Sequence, residues 1–214
     1  LATPSLDSKI NPAIVYAAKK CGVKKIYKTG GAHTIAALAY GTKNFEKVDK
    51  IVGPGNTFVA CAKKEVFGDV GIDMVAGPSD VSIVADKFSD PDLVAADLIA
   101  QAEHGSNSTC ILVLIDTKDN EKIIEEINIS VEDLGYGENS NAYHSLKYYG
   151  RIVNVKNYEE AIEVCNAFNP EHLQIVLKKY DNVDPKQLYA GAIFLGQNNS
   201  AVLGDYCAGP SHVI

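Results

Sequence analysis

The chain has 214 residues, no tryptophan, one methionine and only 8% aromatic residues. No apolar run approaches the roughly 20 residues of a membrane-spanning helix, and no signal peptide is visible. Positive charge is sparse and scattered: 20 Lys and Arg against 27 Asp and Glu leave a net charge of −7. That balance argues against nucleic acid or an anionic membrane as a partner. The five cysteines (Cys21, Cys61, Cys110, Cys165 and Cys207) are isolated in apolar or small-residue settings. Such an odd, unpatterned set reads as reduced thiols in a cytoplasmic protein, not a disulfide framework or a thiolate metal site. Low-complexity sequence is lacking too. What is present is 46% hydrophobic residues, enough to core one large domain or two small ones. Leu1-Ala2-Thr3-Pro4 carries no initiator methionine and the last residues follow a Gly/Pro loop, so the expectation is a piece of a longer enzyme.

Strand, glycine turn and helix recur along the chain. Asn11-Pro12 opens a helix that Gly22 ends; residues 23–27 predict a strand leading to Gly30-Gly31, and residues 32–40 a helix. A strand over 48–52, the turn Gly53-Pro54-Gly55-Asn56, a helix over 57–66 and a strand over 72–75 repeat the unit. Beyond Ala76-Gly77-Pro78-Ser79, strands are expected at 81–85, 110–115, 152–155, 173–177 and 192–195. Helices are expected at 89–102, 118–129 and 158–168, with a polar loop over 130–141. The sum is an α/β fold: two Rossmann-like parallel layers (incomplete Rossmann folds), over 1–80 and 81–214.

The helix over 89–102 organises the reading. Ser89 suits its cap, Pro91 its first turn, and Leu93, Ala96, Ile99 and Ala100 form an apolar stripe. Gly105 is the expected left-handed stop. Gln101 and His104, three apart, project from one face, where an amide oxygen and an imidazole can share a metal ion. The plainer reading is a histidine complementing the helix dipole.

Gly53-Pro54-Gly55-Asn56 and Gly30-Gly31-Ala32-His33 are turns where bare backbone admits a phosphate or ribose, or where the chain simply turns tightly. Both are expected at the carboxyl ends of parallel strands, where open α/β sheets bind ligands. Asn169-Pro170-Glu171-His172 offers a carboxylate beside an imidazole, a pair able to move protons near neutral pH, or else solvated loop charges. In a regular strand the two would point to opposite faces, so catalysis requires an irregular turn there. Ser79, Asp205 and His212 sit in glycine- or proline-containing loops, where turn or surface roles are common. His144, among Tyr143, Tyr148 and Tyr149, reads as surface or packing.

Taken together, Gly30-Gly31-Ala32, the run from Val48 through Gly53-Pro54-Gly55-Asn56, Ala76-Gly77-Pro78-Ser79, Gln101-Ala102-Glu103-His104-Gly105, Pro170-Glu171-His172-Leu173 and Gly204-Asp205-Tyr206 resemble histidinol dehydrogenase nearly end to end. The resemblance implies oxidation of L-histidinol through histidinaldehyde to L-histidine with two NAD, in histidine biosynthesis. It implies zinc held by Gln101, His104 and Asp205, with a further histidine from the other subunit of a domain-swapped homodimer. His172 then takes the alcohol proton and Glu171 activates water for the second oxidation. Ser79 and His212, with the metal ligands, match substrate contacts. The first layer becomes the NAD side, with Asn56, Gly53, Gly55 and His33, where the family usually has glutamine at the last position. Asp80 stands where a glutamate commonly follows the Gly-Pro-Ser turn. The chain looks like the enzyme's central part, without its N-terminal segment and C-terminal arm, and is expected to turn over negligibly by itself. The alternatives are a related dehydrogenase of another small polyol or amino alcohol, and a non-catalytic domain binding a nucleotide or a partner.

Overall fold

The structure, a computed structural model, describes residues 1–5, 9–75, 79–115, 120–134, 136–180 and 183–204. Asp205, Cys207, His212 and the turn residues 76–78 lie outside the described residues. The chain divides into two units, Leu1–Gly77 and Pro78–Ile214.

In the first unit, Asn11 caps α1 (Pro12–Lys20) by accepting the Ala13 N–H at 2.9 Å. α2 (Ala32–Tyr40) follows Gly31, and β1 (Lys50–Ile51), α3 (Thr57–Glu65) and β2 (Gly71–Ile72) complete the unit. β1 and β2 pair in parallel. Ile35, Ala39, Ile51, Val66 and Val70 form the core between helices and strands. The strand expected over 23–27 is not a strand. Tyr27 makes an isolated bridge to Ala2, because its backbone meets only the short Leu1–Thr3 stretch and has no longer neighbour for a ladder. The strand expected over 72–75 is likewise cut to Gly71–Ile72, since Asp73 turns its carboxylate onto the N–H of Gly53.

The second unit is a five-stranded parallel sheet ordered β5-β4-β3-β6-β7. Its elements run β3 (Asp80–Asp86), α4 (Pro91–Ala102), β4 (Thr109–Ile115), α5 (Asn120–Asp133), α6 (Asn141–Tyr149), β5 (Arg151–Val155), α7 (Tyr158–Phe168), β6 (His172–Ile175) and β7 (Ala192–Leu195). β3 and β4 are buried on both faces and largely apolar, as the centre of a covered parallel sheet must be. Val81, Ile83 and Ala85 pack with Val94 and Leu98 of α4 on one face, a side shared by α5 and α6. Val84, Leu173 and Ile175 pack with Ala161, Ile162 and Cys165 of α7 on the other.

Four local expectations change. Asp90, not Ser89, caps α4 by accepting the Asp92 N–H; Ser89 instead donates to Val176 O at 2.8 Å and ties the loop to β6's continuation. The buried row of α4 is Val94, Ala95, Leu98, Ile99 and Ala102, while Leu93 is 42% exposed. Two apolar rows were available on this helix, and the sheet takes the one spaced 94, 98, 102. Gly105 is not left-handed; Glu103 ends the helix in right-handed conformation. Finally, residues 130–141 are no simple loop: α5 continues to Asp133, and α6 starts at Asn141 with Ser140 accepting the Tyr143 N–H. His144, placed by that helix, stacks on Tyr148 at 5.7 Å between ring centroids.

Candidate active site

The second unit gathers its chemistry at the amino ends of β3 and β6. α7 ends at Phe168, Asn169 adopts the left-handed conformation (φ 51°), and Pro170 is fully buried, so the chain turns sharply before β6 begins. That turn supplies the irregularity a Glu-His pair needs: Glu171 Oε2 lies 4.0 Å from His172 Nδ1. Opposite them stands Asp80. Its Oδ1 accepts the Glu171 N–H at 2.7 Å, and its main-chain oxygen lies 3.0 Å from His172 Nδ1. A carbonyl can only accept, so Nδ1 carries the hydrogen and Nε2 is the basic nitrogen of the neutral ring. His172 is buried and pairs in register with Val81, which puts its ring on the α4 side of the sheet. Burial drives the Asp80 carboxyl above the ordinary carboxylate range; the Glu171 N–H opposes this and the Glu171 charge adds to it.

The carboxyl end of α4 returns to this same edge, because a helix between two parallel strands runs back toward their starts. Gln101 is buried in its last turn, and His104 follows just past the helix end, exposed. His104 Nδ1 donates to Ala100 O at 2.8 Å, leaving Nε2 as the ligating nitrogen. The Gln101 amide keeps its Nε2 end buried without a partner among the described residues, and a flip would present oxygen there instead. An oriented imidazole and an unsatisfied amide suit a zinc ion or a polar ligand. The described residues hold no cluster of three His, Cys, Asp or Glu able to bind a metal. Three further residues were not anticipated: Asp97 of α4 accepts from Gln174 Nε2 at 2.8 Å and from Ser200 Oγ at 2.5 Å. Ser79 enters β3 with its carbonyl accepting the Thr109 N–H at 3.4 Å. Open α/β sheets are expected to bind ligands at the carboxyl edge, so this cluster occupies the opposite edge from the one the rule favours.

In the first unit, the Gly53-Pro54-Gly55-Asn56 turn links β1 to α3. Gly53 has φ +120°, a conformation that favours glycine, with open space where a Cβ would stand. A Cβ on Gly55 would overlap Val59, and Asn56 caps α3 by accepting the Val59 N–H at 3.1 Å. Gly31 precedes α2, where exposed His33 lies 3.1 Å from Thr29 Oγ1. No strand leads into that turn, contrary to expectation. The residue the sequence did not advertise is Lys63. Its buried ammonium donates to Gly53 O at 3.0 Å and pairs with Asp73, whose other oxygen accepts the Gly53 N–H at 2.7 Å. A lysine on the inward face of α3, between Val59 and Val66, is the signal that could have found it.

Asp73 makes a testable acid limb. Burial opposes its ionisation, but the Gly53 and Met74 N–H groups and Lys63 outweigh it and hold the carboxyl down to about 2. A depressed folded-state pKa stabilises above the unfolded value and loses that contribution as pH falls through the folded one. The carboxylate is partly solvated, so the contribution is roughly 1 kcal/mol. Asp73→Asn should therefore unfold at lower urea than wild type at pH 6, with the gap closing between about pH 4 and pH 2. A gap that stays constant with pH would show that the charge of Asp73 is not what holds the turn.

A parallel sheet with helices on both faces defines a protein of the α/β class, and a carboxylate–imidazole couple at its edge is a pairing suited to proton transfer. Comparison with known proteins narrows this. The sequence model of the histidinol dehydrogenase family matches residues 1–214, and the chain belongs to that family. It is 48% identical over 214 residues to histidinol dehydrogenase of Clostridium acetobutylicum, covering 99% of this chain and 48% of that one. To the Bacillus subtilis enzyme it is 46% identical over 211 residues, 99% of this chain and 49% of the relative. A crystal structure of histidinol dehydrogenase from Elizabethkingia anophelis superimposes with TM-score 0.88 at 38% identity, over 99% of this chain and 48% of that one. The chain thus spans about half the length of the relatives it matches. Gamma-glutamyl phosphate reductase of Thermotoga maritima, 14% identical with TM-score 0.52, shares the fold alone. No described helix is long and apolar enough to cross a membrane.

Proposed function

We propose that this chain carries the central part of a zinc-dependent histidinol dehydrogenase, which oxidises L-histidinol through histidinaldehyde to L-histidine with two NAD. The observation carrying the reading is the Glu171–His172 couple, 4.0 Å apart and anchored by Asp80 within a member of this family. Gln101 and His104, joined by Asp205, would hold the zinc; Asn56 and the Gly53–Gly55 turn, with His33 beside the neighbouring turn, would meet NAD. When bound, zinc grips the substrate and NAD accepts the hydride. His172 Nε2 removes the hydroxyl proton of the alcohol as its carbon gives up hydride. Glu171 takes a proton from water as that water adds to the aldehyde, while protonated His172 returns its proton to the aldehyde oxygen; the neutral His172 then takes a proton from the resulting hydrate as its carbon gives up the second hydride. Ser79 and His212 orient the substrate. Keeping the aldehyde bound between the two oxidations is the reason for a firm anchor. On this reading the enzyme works in the cytoplasm, in histidine biosynthesis, as a homodimer whose C-terminal arms exchange.

The test is steady-state NAD reduction by the full-length protein with zinc, comparing L-histidinol with other small alcohols and polyols. Two NADH per histidinol consumed, lost on chelation and regained with zinc, is the expected result. Turnover of other alcohols without histidinol would replace this substrate, and no turnover of any would remove the enzymatic reading.

A further inference from the structure

Glu171 and His172 are adjacent in sequence, yet the element that holds both comes from 91 residues earlier. The β3–β6 ladder starts at Val81 opposite His172, so Glu171 lies one step before the pairing begins. Pro170 brings no N–H to that turn, and the carbonyls of Pro170 and Glu171 are taken by Gly191 and Ala192 of the next strand's approach. The Glu171 N–H is met by a side chain, Asp80 Oδ1 at 2.7 Å, which extends the ladder by one rung where the backbones have parted. The same residue's main-chain oxygen accepts from His172 Nδ1 at 3.0 Å. One residue therefore grips the acid through its backbone and the imidazole through its ring. The position is costly: a half-buried carboxyl stands beside a second carboxylate, and burial already disfavours its charge.

We propose that Asp80 is the positioning residue of the Glu171–His172 couple, setting the carboxylate beside the ring and holding the ring with Nε2 as its base. This rests on the reading of that couple as the acid/base pair, and the experiment separates the two. Asp80→Ala and Asp80→Asn are compared with wild type and His172→Asn in the full-length enzyme with zinc, by steady-state kinetics and by amide hydrogen exchange at Glu171. Alanine deletes the acceptor; asparagine keeps an oxygen in the same place. For Asp80→Ala, exchange at Glu171 should rise about tenfold or more. Its kcat should fall roughly 10–100-fold, as expected for small misplacement of reacting groups, with KM within about threefold. Asp80→Asn should restore the protection and most of kcat. A purely structural role predicts the exchange change without the kcat–KM split, and that outcome overturns the proposal. So does protection restored in Asp80→Asn while kcat stays low. If Asp80→Ala does not fold, Asp80→Asn decides by the same two readouts. Should His172→Asn be as active as wild type, the acid/base reading fails and takes this role with it. Inactive His172→Asn beside unchanged kcat in Asp80→Ala removes only the role of Asp80.

Discussion

On the proposed function, His172→Asn in the full-length enzyme should lower kcat for histidinol oxidation about 10²–10⁴-fold, the range that a positioned general base contributes. The substitution is chosen for what it preserves. The asparagine amide can still donate toward the Asp80 carbonyl that now holds Nδ1, so the turn after Phe168 keeps its anchor while the base is removed. KM for histidinol should change little, because the lost interaction belongs to the transition state and not to substrate grip. Glu171→Gln should behave differently. The first oxidation needs no water, so one equivalent of NADH should form at a near-normal rate while the second is slowed. Single-turnover NADH traces read both effects: a trace of unchanged height and rate in His172→Asn would remove the proton-transfer role. Equal slowing of both equivalents in Glu171→Gln would take water activation away from Glu171.

How much of this was legible in the residues depends on what kind of signal each feature leaves. Helices with clear end signals, Ala32–Tyr40 between Gly31 and Gly41 and Tyr158–Phe168 capped by Asn157, are recovered residue for residue, because such signals and periodicity are local. β3 and β4 are legible because a strand covered on both faces is a nearly continuous apolar run, broken between the terminal aspartates of β3 only by Ser82. Residues 23–27 mislead because a strand is a statement about its partner, and the partner here is three residues long. The helix after residue 130 hides in polar sequence, since α5 carries charge on its exposed side and α6 begins on a serine cap. The candidate site is harder still. Glu171 and His172 declare themselves as chemistry, but the edge of the sheet they occupy follows from strand order, which no local pattern contains. Asp80 is visible only as an acid at the head of an apolar strand, and its meaning lies in a residue 91 positions away.

Lys63 carries the other large expected effect. Its side chain is 3% exposed, and its ammonium joins Asp73 to the carbonyl of Gly53, so three partners close around the turn that opens α3. Lys63→Ala would empty a buried site and leave the partly solvated Asp73 without its cation and the Gly53 carbonyl without a donor. Removing one member of such a pair costs about 3 kcal/mol, more than a surface ion pair is ever worth. In a unit of this size that lowers the midpoint of its thermal transition by about 10 °C or more. Lys63→Met separates charge from volume: it refills the space but leaves Asp73 unpaired, and should be nearly as unstable as alanine. Adding Asp73→Asn to Lys63→Met should recover a substantial part of the loss, because two neutral partners are less costly than one stranded charge. Calorimetry of the three variants decides the matter: Lys63→Met as stable as wild type would mean that the stem of the lysine, and not its ammonium, holds the turn. The same series reports on function, because Lys63 holds Gly53 in the turn that leads to Asn56, the cap of α3. If that turn receives NAD, Lys63→Met should raise KM for NAD several-fold while leaving KM for histidinol near wild type, whereas equal changes in both would place the cofactor elsewhere.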